Sequence, residues 1–160
     1  ILIKKLFRCF FIMSNDNEMI KQLSIFLENK KGRLYKALDV LANANINIRA
    51  LSLADTSDFG ILRLVVQDPI KCKEELEKHN FTVKVTLVVG VQLDDTPGGL
   101  SKILKIVQDN NMNLDYLYAF THEKSEKAIL LLCTSNLENL TNILKENDVI
   151  IVPADEVYNL

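Results

Sequence analysis

The chain repeats itself, and that constrains its fold more than any other feature. Gly32 and Gly98 stand 98 − 32 = 66 residues apart, and their surroundings correspond at the same offset. Leu23, Ile25 and Leu27 alternate before the first glycine, and Val89, Val91 and Leu93 before the second, as a half-buried strand requires. After the glycines, Leu34, Ala37, Leu38 and Leu41 make an apolar stripe at helical spacing, repeated by Leu100, Ile103, Leu104 and Val107. Asn45-Ile46-Asn47-Ile48 then corresponds to Asn111-Met112-Asn113-Leu114. Past a hairpin where the register slips, Ile61-Leu62 matches Ile129-Leu130 and Leu76 matches Leu144, at an offset of 144 − 76 = 68. A chain written twice in this way folds as two similar units.

Patterning predicts strands at Ile20–Glu28, Ile48–Ala54, Ile61–Gln67 and Phe81–Val85 in the first unit, with helices at Arg33–Ala44 and from Pro69 to His79. Thr56, Ser57, Asp58 and Gly60 supply the turn between the middle strands, and Asp68 before Pro69 is a helix cap. The second unit repeats the order: strands Leu87–Leu93, Leu114–Thr121, Ala128–Thr134 and Val149–Val152, helices Gly99–Asn110 and Leu137–Glu146. Each unit reads β-α-β-β-α-β. The fold class is therefore α+β, two ferredoxin-like units in tandem, each an antiparallel sheet with two helices on one face. The expected domains are 19–86 and 87–160. Leu114, Tyr116, Tyr118 and Phe120 are expected on one strand face and Leu117 and Ala119 on the other, so both faces of that strand are apolar. Burial of this stripe predicts a homodimer or intimate packing of the repeats.

Residues 1–18 differ from the rest. The run from Ile1 to Met13 is basic and apolar, but Arg8 interrupts it and no small-residue cleavage site follows, against a signal peptide. These residues are expected to be a leader, disordered or not native, with Met19 the functional start. A net charge of −2 lacks the basic surplus of a nucleic-acid binder. No stretch reaches the length of a membrane span. Cys9, Cys72 and Cys133 lack CxxC spacing and lie among apolar residues, which suits reduced thiols and a cytoplasmic setting.

The segment Asp94-Asp95-Thr96-Pro97-Gly98-Gly99-Leu100 ends a strand, turns on two glycines and opens a helix. Helix starts carry unpaired amides and partial positive charge, so the segment is either an anion cradle, suited to a carboxylate, or an ordinary capped turn. Thr96 is expected as the cap and Pro97 at the first helical position. The upstream counterpart, Glu28-Asn29-Lys30-Lys31-Gly32-Arg33-Leu34, adds Lys30, Lys31 and Arg33 for a carboxylate, while Asp94, Asp95 or an asparagine oxygen could accept from an ammonium.

These two segments, each between the first strand and first helix of a repeat, resemble the tandem ACT domains. Those are small ligand-binding modules attached to enzymes of amino-acid metabolism such as aspartokinase and phosphoglycerate dehydrogenase. The resemblance runs from Met19 to Leu160 and is similar in particular to small stand-alone proteins of two ACT domains, which end in a segment like Ala154-Asp155-Glu156-Val157-Tyr158. It implies a non-catalytic regulatory module that binds a free amino acid where ACT units meet, with an amino-acid-metabolism enzyme or regulator as a partner and no cofactor. Carried over, the ligand-binding residues are Asn29, Lys31, Gly32, Arg33, Leu34, Asn47 and Ile48 in the first repeat. In the second they are Asp95, Thr96, Pro97, Gly98, Gly99, Leu100, Asn113 and Leu114. Lys31 departs from the pattern, which usually has proline there.

Enzymatic readings lack residues. His79 and His122 are the only histidines, no serine or cysteine nucleophile has a recognisable partner, and metal-ligand spacing is missing. The alternative of another class is an acylphosphatase-like hydrolase using Arg33 and Asn47, although the phosphate-loop run of that family is missing. Arg63, central in a strand, reads a carboxylate or snorkels from the open sheet face. An RNA-recognition module would need paired aromatics that the first repeat lacks.

Overall fold

The alternation of Leu23, Ile25 and Leu27 turns one face of the first strand toward two helices, and the same construction recurs in the second half. The structure, a computed structural model, describes residues 17–55, 59–121 and 127–160. Most of the expected leader, the turn residues Thr56, Ser57 and Asp58, and His122 lie outside them. The elements are β1 (Met19–Glu28), α1 (Arg33–Asn43), β2 (Ile48–Asp55), β3 (Phe59–Val66), α2 (Pro69–Lys78) and β4 (Thr82–Asp94), then α3 (Gly99–Asp109), β5 (Tyr116–Thr121), β6 (Lys127–Cys133), α4 (Leu137–Glu146), β7 (Ile151–Val152) and α5 (Ala154–Tyr158). The order is βαββαβ twice, with β4 counted in both repeats and α5 following, the two ferredoxin-like units of an α+β fold.

One compact unit comprises Lys21–Thr86 with Val157–Leu160, the other residues 17–20 with Leu87–Glu156. In the first, β1 and β2 pair antiparallel with β3, and β4 lies beside β1. Leu23, Ile25, Leu62 and Leu64 face Ala37, Leu41, Cys72 and Leu76 of the helices, all essentially buried. In the second, β6 pairs antiparallel with β4 and β5, and β7 pairs with β4. Val89, Val91, Leu130 and Leu132 meet Ile103, Val107, Leu140 and Leu144. Each fully buried aliphatic side chain contributes about 1.5–3 kcal/mol, so the matched stripes dominate the stability of both units.

Paired backbone features confirm the duplication in detail. Asn45 and Asn111 end α1 and α3 with φ of 54° and 53°, and Asn80 and Asp148 follow α2 and α4 with φ of 61° and 58°. Asparagine and aspartate tolerate this left-handed conformation better than most residues. The Asp68 carboxylate caps α2 by accepting from the Lys71 amide at 3.0 Å, with Pro69 opening the helix.

Two expectations are corrected, and one element is unexpected. The two strands predicted on either side of Thr86 are one strand, β4, because no turn-forming residue interrupts Val83 to Val89 and β-branched residues keep the backbone extended. Strand β5 begins at Tyr116 and not at Leu114. Alternation therefore does not reach Leu114, which packs with Leu117 against the second core, away from Tyr116, Tyr118 and Phe120. The short helix α5 follows the last strand; five residues are too few to carry a helical period. Val157 in it is buried, the Lys21 amide donates to the Tyr158 hydroxyl at 2.7 Å, and Arg49 Nε donates to the Tyr158 carbonyl at 3.0 Å.

Tyr116, Tyr118 and Phe120 are half-buried. Among the exposed apolar residues, Leu51 at 55% and Leu53 at 48% lie two apart on β2, the edge strand of the first unit. Among the described residues, no helix is long and apolar enough to cross a membrane.

Candidate functional site

The two glycine segments fold alike. The Arg33 amide donates to the Lys30 carbonyl at 3.1 Å, and the Gly99 amide to the Thr96 carbonyl at 3.0 Å. Gly32 (φ 82°, ψ −4°) and Gly98 (φ 91°, ψ −9°) take the third position of these turns. This is a type II turn, whose third residue must have positive φ and whose second accepts proline. Pro97 occupies that second position, and Lys31 does so in the first repeat.

Each glycine serves as the N-cap of the following helix, with no side-chain cap bond. The expectations of Thr96 as cap and Pro97 at the first helical position are thus corrected: the turn places both before the helix, and Thr96 contributes its backbone carbonyl. The first intrahelical bonds run from Lys36 to Gly32 and from Lys102 to Gly98, at 3.0 and 3.1 Å. The amides of Leu34 and Tyr35, and of Leu100 and Ser101, precede them and point from positive helix ends. In contrast, α2 and α4 have side-chain caps, from Asp68 and from Asn136, which accepts from the Asn139 amide at 3.1 Å. An added Cβ at Gly32 or Gly98 would meet nothing within 4 Å, so space above both turns is open. Gly99 is different: its Cβ would fall 2.2 Å from the Asp94 carbonyl oxygen, because the backbone doubles back there.

The cations of the first loop are largely engaged. The Lys30 ammonium pairs with Glu28 at 2.8 Å and holds that exposed carboxyl below its usual range. The Arg33 guanidinium lies 4.3 Å from the centre of the Phe81 ring and donates to the Asn80 carbonyl at 3.4 Å. Among the described residues, Lys31 has no ion-pair partner. An anion-binding role for Arg33 with Asn47, as an acylphosphatase-like site would require, has to break these contacts. Asn47 itself is exposed, and its backbone carbonyl accepts from Gln67 at 3.2 Å.

Asn29, Gly32 and Leu34 are exposed, while Ile48 is half-buried against the first core. In the second repeat Asp95, Thr96, Pro97, Gly98, Leu100 and Asn113 are exposed, Gly99 is buried and Leu114 half-buried. Two concavities flank α3. A groove of about 530 Å³ brings Asn113 and Leu114 beside Leu104, Val107 and Gln108. A cleft of about 420 Å³ on the other side joins Gly99 to Asp94, Lys102, Lys127 and Asp148. Asp95 to Gly98 and Leu100 line neither. Lys127 engages Asp94 in an ion pair that holds the Asp94 carboxyl below its ordinary range. Lys102, Lys127 and Asp148 carry no motif; the signal that could have found them is a comparison of the repeats position by position. Among the described residues, no three side chains are grouped to hold a metal ion.

A family model described as an ACT domain pair matches residues 18–160. A protein of solved structure from Bacteroides thetaiotaomicron is 40% identical, with 89% of this chain and 98% of that one covered and a TM-score of 0.83. The regulatory subunit of aspartate kinase from Thermus thermophilus, in a ligand-free form, is 15% identical over 79% of this chain and 90% of its own, with a TM-score of 0.55. Its counterpart from Thermus flavus is 17% identical over 79% and 92%, with a TM-score of 0.53. At these identities the two subunits share the fold. No curated protein matched the chain.

Proposed function

Because the chain belongs to the family of ACT domain pairs, we propose that it is a non-catalytic regulatory module that binds a free amino acid through its glycine loops and passes the bound state to an enzyme or regulator of amino-acid metabolism. The observation that carries this reading is the contrast between the helices. Those that follow the glycine turns keep their terminal amides uncapped under open space, and the other two long second-position helices are capped by their own side chains. Uncapped amides at a positive helix end favour a carboxylate. Lys31, Asp95 and the asparagines Asn29, Asn47 and Asn113 supply the charge and amide chemistry that an α-amino acid needs around it. We propose further that the protein works in the cytoplasm and that two copies associate through β2, whose edge carries Leu51 and Leu53.

Thermal unfolding screened against the common amino acids, followed by calorimetry on Gly98→Val, tests the binding reading. A ligand at about a hundred times its dissociation constant adds roughly 2.7 kcal/mol to stability. A branched side chain at Gly98 would stand over the open amides and strain the positive φ, so binding should fall at least tenfold. No shift with any amino acid, or unchanged affinity in Gly98→Val, refutes the assignment.

A further inference from the structure

In the first repeat, the space between the start of α1 and the turn after α2 is filled by the protein's own guanidinium. Arg33 reaches over Phe81 and donates to the Asn80 carbonyl, and its Nε is buried. The corresponding residues of the second repeat follow from the backbone. Gly99 stands where Arg33 does, at the residue after the positive-φ glycine. Asp148 stands where Asn80 does: both have positive φ, and their amides donate to Lys145 and Glu77 at 3.1 and 3.0 Å. Val149 stands where Phe81 does, their amides donating to Leu144 and Leu76, each at 3.0 Å.

The second repeat thus lacks the plug. Gly99 has no side chain to send across, and what remains is the cleft of about 420 Å³. Its lining has also changed in character. The aromatic face that holds Arg33 is replaced by a valine, and the neutral asparagine by the carboxylate of Asp148, which among the described residues has no ion-pair partner. Asp94 and Lys127, both on the lining, form an ion pair with each other. The remaining charged residues on the lining are the anion Asp148 and the cation Lys102, which also acts on Asp94.

We infer that this cleft takes the guanidinium or ammonium side chain of a free basic amino acid, in the manner in which the first repeat takes Arg33. The Asp148 carboxylate and backbone carbonyl accept from the cationic group, the carboxylate replacing cation–π attraction with direct charge pairing. The ligand's α-carboxylate meets the uncapped amides at the start of α3, with the Lys102 ammonium beside it. This rests on the reading of the protein as an amino-acid binder and narrows the ligand to the basic class. It also separates the two repeats: one cleft is self-occupied, the other receives a ligand.

Calorimetry and amide chemical-shift mapping on the full chain test it with L-arginine, L-lysine, the neutral isostere L-citrulline and a neutral aliphatic amino acid. Asp148→Asn is the variant, since asparagine already occupies the equivalent position of the first repeat and tolerates its φ. The expected result is that L-arginine or L-lysine binds at least tenfold tighter than L-citrulline, shifts the amides of Gly99, Asp148 and Val149, and loses at least tenfold in Asp148→Asn. Binding of a neutral amino acid at the amides of Leu100 and Ser101, with no preference for a basic one, overturns this inference and leaves the glycine-loop reading standing. Binding of L-arginine unchanged by Asp148→Asn overturns it as well, and silence of every amide toward every amino acid overturns both.

Discussion

Gly98 and Gly99 are adjacent, yet they are glycine for different physical reasons, and substitution should separate the two. At Gly98 the restriction is dihedral, φ 91° with nothing within 4 Å of a Cβ. Alanine there costs about 1–2 kcal/mol for the left-handed conformation, and asparagine, which tolerates it, costs less. At Gly99 the restriction is space. A Cβ 2.2 Å from the Asp94 carbonyl oxygen is more than roughly 1 Å inside ordinary contact. The obstacle is backbone, at the end of a strand whose Asp94 pairs in register with Lys127, so it cannot rotate away as a side chain would. Overpacking of this kind costs about 1–3 kcal/mol, and its rigid backbone partner puts Gly99→Ala near 2–3 kcal/mol. At about 2–4 °C per kcal/mol for a chain of this size, the midpoint should fall by roughly 4–12 °C. Thermal unfolding followed by circular dichroism, with urea midpoints as a second measure, should rank the variants Gly98→Asn, Gly98→Ala and Gly99→Ala in order of increasing loss. Gly99→Ala melting with the wild type, or no lower than Gly98→Asn, would refute the close approach of the backbone in this loop.

Cys72 is fully buried, and burial together with the nearby Asp68 carboxylate pushes its thiol up to about 12. Its folded pKa lies above the ordinary 9.0, so this group leaves stability unchanged below pH 9 and lowers it as pH rises from 9 toward 12. Alkylation at pH 8, mapped to Cys72 by mass spectrometry, should proceed only as fast as the unit opens; prompt labelling of the native protein would contradict this. Sedimentation should find a dimer of the 18.2 kDa chain, and Leu51→Lys with Leu53→Lys should give a folded monomer. A wild type that remains monomeric at high concentration would end the proposal for β2.

The duplication was readable directly from residue types, because a strand face and a helix stripe each impose a period that survives in sequence. Leu23, Ile25 and Leu27 with Leu34, Ala37 and Leu41 define both the elements and the core side, and their counterparts at Val89 to Val107 do the same. The positive-φ glycines were legible for a similar reason, since few other residues accept that conformation. Periodicity fails where its element ends. Leu114 continues the alternation of β5 on paper but precedes the strand, and α5 is too short to show a period at all.

The chemistry of the loops belonged to tertiary structure. Arg33 reads in sequence as a loop cation free to meet an anion, and only the fold brings Phe81 and the Asn80 carbonyl, far along the chain, to its guanidinium. The cleft around Gly99 and Asp148 likewise has no sequence motif, because its walls come from a strand end, a helix start and a turn that are distant in the chain. Local pattern thus determined which residues form the elements and which faces are apolar. The assembly of those elements decided which polar side chains satisfy one another and which are left to face a ligand, since that outcome depends on distances between segments that no local period encodes.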